Sequence, residues 1–133
     1  MWFEDPDGGR IAAVAQDQLC CACLRVRFNE SLEDPIFAVA LRNEAGHTVF
    51  ATTTALEHGP TGSFSAGEST IVRLRFENWL TRGRYNLTPS VARNGPGDDI
   101  LDAHEDVVSL VVYGDQSGAG IARLPHGFEL ERV

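Results

Sequence analysis

Hydrophobic and polar residues alternate along most of the chain with a period of two, which is the spacing of a β-strand with one buried face. From Leu19 to Phe28, the alternation predicts that even-numbered residues are buried and that the odd-numbered ones, Cys21 to Arg27, are exposed. The same pattern predicts five further strands, at Ile36–Arg42, His47–Thr54, Thr70–Glu77, Arg84–Ala92 and Val107–Tyr113. The segment Ile121–Leu130 is apolar enough to add a last strand.

Turn-forming residues separate these segments. Asn43–Gly46 predicts a hairpin between the second and third strands, and Gly59–Gly62 and Asn94–Asp99 predict loops. No segment shows the periodicity of an amphipathic helix. We therefore predict an all-β fold, an immunoglobulin-like antiparallel β-sandwich, that forms a single domain over residues 1–133.

One tyrosine sharpens this fold prediction. Tyr85 begins a predicted strand two residues after Gly83, which is where immunoglobulin-like folds carry their tyrosine corner. The alternative is that Tyr85 is an ordinary aromatic residue of the core, and in both cases its role is structural.

Length and charge narrow the possible functions. The chain has 133 residues, which suits one hydrophobic core. It carries 11 Lys and Arg against 19 Asp and Glu, a net charge of −8, which argues against a nucleic-acid partner because phosphates would be repelled. No apolar run approaches the roughly 20 residues of a membrane helix, and the N-terminus lacks the pattern of a signal peptide.

Candidate chemistry is sparse. Cys20, Cys21 and Cys23 supply at most half of a structural zinc site, so we expect free thiols in a reducing compartment such as the cytoplasm. The acidic segment Asp98–Asp106 does not match a calcium-binding loop, so we expect a solvated acidic loop. The four histidines are scattered and no hydrolase, metalloprotease or phosphate-loop motif occurs. The sequence therefore predicts no enzyme, no metal site and no cofactor.

Several motifs together resemble those of one family. They are Trp2–Gly8, Asp34–Arg42 (DPIFAVALR), Gly46–Thr54, Leu80–Leu87 (the pattern L-x-x-G-x-Y-x-L) and Gly120–His126 (ending in L-P-H). In their order and spacing they resemble the carbohydrate-binding C-terminal domain of the ATP-binding subunits of polysaccharide ABC exporters, the Wzt family for O-antigen. The resemblance runs over nearly the whole chain.

The resemblance implies an immunoglobulin-like sandwich that binds finished O-antigen polysaccharide on its lipid carrier, as part of lipopolysaccharide biosynthesis. It implies a cytoplasmic location at the inner face of the inner membrane, beside the transporter membrane subunit. The family's nucleotide-binding domain would lie upstream, so we expect the present chain to be a piece of a longer subunit and to hydrolyse no ATP. The alternative is an immunoglobulin-like protein–protein interaction module without a sugar ligand.

Two outer faces compete for the sugar. The odd-numbered residues of the first and fourth predicted strands form a face with four arginines, which would suit an acidic glycan or pack on another subunit. The other sheet offers short polar groups for hydrogen bonds and an aromatic ring for stacking. We predict that it binds the carbohydrate through Arg42, Asn86, Thr88, Ser90 and Tyr113. The alternative is that these are ordinary solvent-facing strand residues.

Trp79 is a second candidate for stacking on a sugar. The alternative is that it fills the end of the sandwich.

The family works with two ATP-binding subunits, so the resemblance implies a homodimer. The polar spacer Gly114–Gly120 would allow Ile121–Leu130 to be exchanged between two copies. The alternative is a segment that folds back on a monomer.

Overall fold

The computed structural model describes residues 1–93, 100–103, 108–114, 120–122, 124 and 126–132. Within these ranges the chain forms twelve β-strands and one helical turn. They are β1 (Trp2–Glu4), β2 (Arg10–Ile11), β3 (Ala13–Ala15), β4 (Leu19–Arg27), β5 (Leu32–Glu33), β6 (Ile36–Asn43), β7 (Thr48–Thr53), α1 (Thr54–Glu57), β8 (Ser63–Phe64), β9 (Ser69–Glu77), β10 (Gly83–Ala92), β11 (Ile100–Ala103) and β12 (Val108–Tyr113). The predicted all-β, immunoglobulin-like sandwich is confirmed.

The first sheet has the strand order β2-β1-β4-β9 and is antiparallel throughout. Its longest pair is β4 with the edge strand β9, which runs from Leu19 opposite Glu77 to Arg27 opposite Ser69. Strand β1 adds to the free edge of β4, with Trp2 opposite Cys23 and Glu4 opposite Cys21. The alternation predicted for β4 and β9 therefore produces one face toward the core and one outer face.

The second sheet has the order β3-β12-β10-β6-β7, with β11 also paired to β10. Its hairpin β6–β7 turns where the sequence predicted, because Gly46 adopts a φ of 81° that other residues rarely take, and the Asn43 side chain accepts a hydrogen bond from His47 N at 2.9 Å. One pair departs from the antiparallel prediction: β3 joins β12 in parallel. The N-terminal segment thus reaches both sheets, β1 in one and β3 in the other.

The inner faces of the two sheets form one core. Phe3, Leu110 and Val112 are fully buried in it, and each such side chain stabilises the fold by about 1.5–3 kcal/mol through loss of contact with water. A small third sheet, β5 with β8, lies at one end, where the Phe64 ring stacks on Phe28 at 4.4 Å between centroids.

The tyrosine corner is confirmed. The Tyr85 hydroxyl donates a hydrogen bond to the Thr81 carbonyl at 2.7 Å, which joins the start of β10 to the connection that precedes it. Nearby, the fully buried Asn78 donates from Nδ2 to the Ala15 carbonyl at 3.1 Å and accepts at Oδ1 from Leu80 N at 3.2 Å. These two side chains fix the path of the chain between the sheets.

The prediction of a last strand at Ile121–Leu130 is wrong for the described residues of that segment, which form no strand. Among the described residues, the segment is linked to the sandwich by a bridge between Ala122 and Leu80, and the Ile121 carbonyl accepts hydrogen bonds from Thr81 N and Thr81 Oγ1, both at 3.0 Å. Phe128 and Leu130 are 92% and 89% exposed.

The sequence analysis did not predict β1, β2, β3 or α1. The helical turn α1 begins where the Thr53 hydroxyl accepts from Leu56 N at 3.3 Å, a cap that acts over too few residues to leave a periodic pattern. The predicted acidic loop 98–106 is wrong for its described residues, because Ile100–Ala103 form β11, which pairs with β10. The predicted loop 94–99, the rest of the acidic segment and residues 115–119 of the spacer lie outside the described residues. Among described residues, no helix is long and apolar enough to cross a membrane.

Candidate functional site

Four of the five predicted sugar-binding residues lie side by side on the outer face of the second sheet. The register of β10 with β6 places Asn86 opposite Arg42, Thr88 opposite Ala40 and Ser90 opposite Ala38. Directly opposed residues of an antiparallel pair share a face, with Cβ atoms about 5 Å apart. The sheet therefore brings Arg42, Asn86, Thr88 and Ser90 together.

Tyr113 lies on the same face but at its margin. Ser109 is opposite Asn86, and every second residue of β12 shares its face, so Tyr113 follows about 13 Å further along the strand. Tyr113 is 55% exposed. The strand beside it, β3, is short and places Ala15 opposite Tyr113. Tyr113 therefore lies on the same face as Asn86 but apart from it.

Short side chains separate the polar ones on this surface. Ala40 is flanked by Thr88 on one side and by Ala51 of β7 on the other, and Ala38 is flanked by Ser90 and Thr53. We name this surface the polar face. Its members are Ala38, Ala40, Arg42, Ala51, Thr53, Arg84, Asn86, Thr88, Ser90, Ser109, Val111 and Tyr113. Because alanine side chains reach less far from the sheet than their neighbours, Ala38, Ala40 and Ala51 mark a low strip along β6 and β7, which we name the trough.

Two polar groups of the polar face differ in their hydrogen bonding. The Ser109 hydroxyl donates to Asn86 Oδ1 at 2.8 Å, which fixes the amide and turns its NH₂ group away from Ser109. The Arg42 Nε atom is buried and has no hydrogen-bond partner among the described residues. A buried donor without a partner costs about 1–3 kcal/mol.

The opposite outer face, on the first sheet, is organised differently. Arg25, Arg27, Arg73 and Arg75 are exposed on it, as predicted, and we name it the arginine face. Arg73 Nε lies 3.6 Å from Glu4 Oε2, and the Arg10 guanidinium lies 4.5 Å from the centre of the Trp2 ring. Long side chains thus contact one another across this face.

The prediction that Cys21 and Cys23 are exposed on the arginine face is wrong. Both are buried, because β1 extends the sheet beyond β4 and brings Trp2 and Glu4 beside them. Burial, followed by the neighbouring Cys21 and Glu4, raises the pKa of Cys23 to about 12. All three cysteines are free thiols, as predicted.

Trp79 belongs to neither outer face. It is 43% exposed, donates from its indole nitrogen to Glu77 Oε2 at 3.2 Å, and lines a cavity of about 260 Å³ with Phe50 and Leu80. This cavity opens along the seam between the edge strands β7 and β9. The structure therefore places Trp79 at the side of the sandwich, away from the predicted sugar-binding residues.

Sequence reasoning missed the contribution of β7 to the polar face. Ala51 and Thr53 lie on this face because β7 pairs with β6 in a register that shifts near Arg42. The signal that could have found them is the hairpin at Asn43–Gly46, since counting back from its turn pairs each residue of β7 with one of β6.

Comparisons with known proteins agree with this architecture. Residues 1–124 match the family model described as the Wzt C-terminal domain. The chain belongs to this family. A solved structure described as the crystal structure of the C-terminal domain of wzt superposes with a TM-score of 0.86 at 17% sequence identity, covering 98% of this chain and 80% of that one. No curated protein sequence gives a significant match.

Membership in the Wzt C-terminal domain family supports a role in a polysaccharide ABC transporter. The family is a non-catalytic domain that lacks the ATPase region. The structural match, at its low sequence identity, shows the fold. The family places the chain in a transport system, and the choice between its two outer faces must come from their chemistry.

Proposed function

We propose that this domain binds O-antigen-type polysaccharide on the polar face and serves as the substrate-recognition domain of a polysaccharide ABC exporter. The observation that carries the proposal is the row of Asn86, Thr88 and Ser90 along β10, beside the alanines of β6 on the outer face of the sheet. Sugar hydroxyls lying along this row would exchange hydrogen bonds with these polar side chains.

The chemistry required is recognition without catalysis. Sugar rings present hydroxyls around their edge and C–H groups on their faces, so they need short polar groups beside an aromatic ring. Asn86, Thr88 and Ser90 supply the polar groups and Tyr113 supplies the ring. Each site contact contributes little, so we expect weak binding of one repeat and stronger binding of a long polymer that meets two domains. We propose that the domain itself is not an enzyme.

The proposal includes where the domain works and with what. Within the full-length subunit a nucleotide-binding domain would precede it, and the transporter membrane subunit would hold it at the cytoplasmic face of the inner membrane. The net charge of −8 makes nucleic acid an unfavourable partner. The polysaccharide would then reach the polar face while still attached to its lipid carrier.

A titration of the source organism's own O-polysaccharide tests the site. We expect Asn86→Ala and Tyr113→Ala each to weaken binding about tenfold, because each removes a contact worth on the order of 1 kcal/mol or more. Arg73→Ala and Arg75→Ala, on the arginine face, are the matched controls and should bind normally. Normal binding by the first pair with loss of binding in the second would place the sugar on the wrong sheet for this proposal.

Metal is not proposed to take part in sugar binding. The predicted site residues Arg42, Asn86, Thr88 and Ser90 contain no carboxylate, thiolate or imidazole that would hold a cation. The same titration with a chelator present should therefore give an unchanged affinity, and loss of binding on chelation would contradict this part of the proposal.

We also propose that the domain is a homodimer in which C-terminal segments are exchanged. Leu124, Phe128 and Leu130 are exposed apolar residues just beyond the spacer, and the apolar cavity beside Trp79 lies open along a sheet edge. A segment from a second copy would bury both surfaces. Light scattering should show a dimer that becomes a monomer when residues after Tyr113 are deleted. A monomeric full chain would refute the dimer, and a dimer that survives truncation would refute the exchange.

A further inference from the structure

Three potential metal ligands converge beneath the side chains of the arginine face. Cys21 and Cys23 are alternate residues of β4 and so point to the same side, where their Sγ atoms lie 3.7 Å apart. Glu4 of β1 is directly opposite Cys21 and adds a carboxylate. The two sulfurs and a carboxylate oxygen all lie within 4.8 Å of one another.

The spacing of the two sulfurs matches a tetrahedral metal site. Two thiolates at about 2.3 Å from a tetrahedral zinc ion lie about 3.8 Å apart, and a carboxylate oxygen completes a third corner at about 2.0–2.2 Å from the ion. We propose that Cys21, Cys23 and Glu4 form a site for one thiophilic divalent cation, Zn²⁺ or Cd²⁺. Two sulfur ligands disfavour Mg²⁺ and Ca²⁺, which take oxygen ligands.

An entry path and a fourth ligand position are present. Glu4 and Cys21 line a cavity of about 190 Å³, which is also bordered by Asp5 and Arg75. Water in this cavity would fill the fourth corner of the tetrahedron. Cys23 has no exposed surface, so its Sγ atom would contact the bound ion and not solvent.

Binding must displace protons, and the charge balances without an oxidant or reductant. The two S–H bonds break, two protons pass to solvent, and two metal–sulfur bonds and one metal–oxygen bond form. Two neutral thiols and one carboxylate become a metal–dithiolate–carboxylate cluster, so the net charge of the site stays at −1. Because the cysteines must lose their protons to bind the ion, affinity should rise with pH.

Neighbouring groups tune this site in opposite directions. The Trp2 indole donates to Glu4 Oε1 at 2.7 Å, which orients the carboxylate toward the sulfurs as an outer-shell partner does in metal sites. Arg73 lies 3.6 Å from Glu4 Oε2 and competes with a cation for that oxygen. Arg73→Gln should therefore strengthen cation binding, and a bound ion would join the edge strand β1 to β4.

The test is a titration of the full chain with Cd²⁺ alone, in a non-thiol reductant that keeps the cysteines reduced. We expect thiolate-to-cadmium charge-transfer absorption that saturates at one ion per chain. Cys21→Ser and Cys23→Ser should each lose at least about a hundredfold in affinity, and Glu4→Gln about tenfold. The matched control is Cys20→Ala, which removes the core-facing thiol of the same strand and should bind as the unmodified chain does.

Cys23 is fully buried, so its substitution could prevent folding. A second measurement therefore leaves both cysteines unchanged. Trp2 is hydrogen-bonded to Glu4, so its fluorescence should change on cation binding in a Trp79→Phe background. In the Glu4→Gln variant of that background, the same titration should require about tenfold more Cd²⁺. The proposal is overturned if Cys20→Ala weakens binding as much as Cys21→Ser does. It is equally overturned if the chain with Cys21 and Cys23 both changed to Ser still binds Cd²⁺, or if no charge-transfer band forms.

Discussion

The outer faces of the two sheets differ in the length of their side chains and in what those side chains cover. On the arginine face, Trp2, Glu4 and Arg73 reach across the sheet and contact one another, so the cysteines beneath them are buried. On the polar face, alanines stand between the polar residues, and the sheet surface stays open around Asn86 and Tyr113. Side chains of this chain cover much of the arginine face, whereas the polar face is left open, and the ligand that we propose would lie there.

The cause of this difference lies at the edges of the sheets. The first sheet gains β1 and β2 beside β4, and these strands bring the indole and the carboxylate that close the arginine face. The second sheet gains only Ala13 and Ala15 of β3 beside β12, and these add almost no side-chain bulk. The polar face thus stays open at this edge because the neighbouring strand has only small side chains on that side.

The largest effect should come from filling the trough. Ala40→Trp places an indole where Thr88 and Ala51 now flank a methyl group, which would exclude a sugar ring. We expect polysaccharide affinity to fall by about a hundredfold, or about 2.7 kcal/mol. Titration with the O-polysaccharide measures it, and circular dichroism reports whether the sandwich is kept.

The matched change on the arginine face is Ile71→Trp, at an exposed outer position of β9 opposite Arg25. It places the same indole on the outer face of the other sheet and should leave polysaccharide binding unchanged. If Ile71→Trp abolished binding while Ala40→Trp did not, the roles assigned to the two faces would have to be reversed.

Much of the fold could be predicted because long strands repeat their signal. The strands β4, β6, β9 and β10 each alternate over eight or more residues, and the tyrosine corner at Tyr85 fixes how two of them connect. The short strands β1 to β3 could not be found, because two or three residues carry no period. Their pairing depends on partners that are distant in sequence, such as Cys23 for Trp2.

The predicted site divides along the same line. Arg42, Asn86, Thr88 and Ser90 could be placed on one face because β6 and β10 alternate regularly. The burial of Cys21 and Cys23 could not be predicted, since it depends on side chains from β1. The exposed C-terminal residues show the opposite limit: an apolar pattern indicates that a segment needs burial and does not say against which chain.

A smaller effect should appear at alkaline pH, from the thiols beneath the first sheet. Burial, with a lesser contribution from Cys21, raises the pKa of Cys20 to about 12 from an ordinary value of 9.0. Above pH 9 the unfolded chain therefore releases a proton that the folded chain retains, so stability is present below pH 9 and is lost as pH rises toward 12. The free energy of unfolding should fall by about 1 kcal/mol per pH unit for each such thiol.

Urea denaturation at about pH 8, 9 and 10 measures this slope. Cys20→Ala should give a shallower slope than the unmodified chain, whatever its stability at neutral pH. Leu24→Ala, on the same core-facing side of β4, lowers stability without removing a thiol and should keep the full slope. Equal slopes in all three proteins would show that the Cys20 thiol is not the group responsible.

The smallest effect should appear at acid pH and concerns the side chain that closes the arginine face. The hydrogen bond from Trp2 lowers the pKa of Glu4 from its ordinary value of 4.5; burial opposes the shift, and Cys23 and Arg73 add to it. Because the folded chain holds this carboxylate ionised more strongly than the unfolded chain does, its contribution is present above about pH 4.5. It is lost as pH falls through the lowered pKa.

Glu4→Gln isolates the charge, because the amide oxygen of Gln can still accept the hydrogen bond from Trp2. Between about pH 6 and pH 3 the stability of this variant should fall less steeply than that of the unmodified chain, by urea denaturation. Arg73→Gln should give an intermediate slope, since it removes one of the groups that favour the ionised carboxylate. If Glu4→Gln left the slope unchanged, Glu4 would be an ordinary surface carboxylate, and the closure of the arginine face would rest on the Trp2 and Arg10 side chains alone.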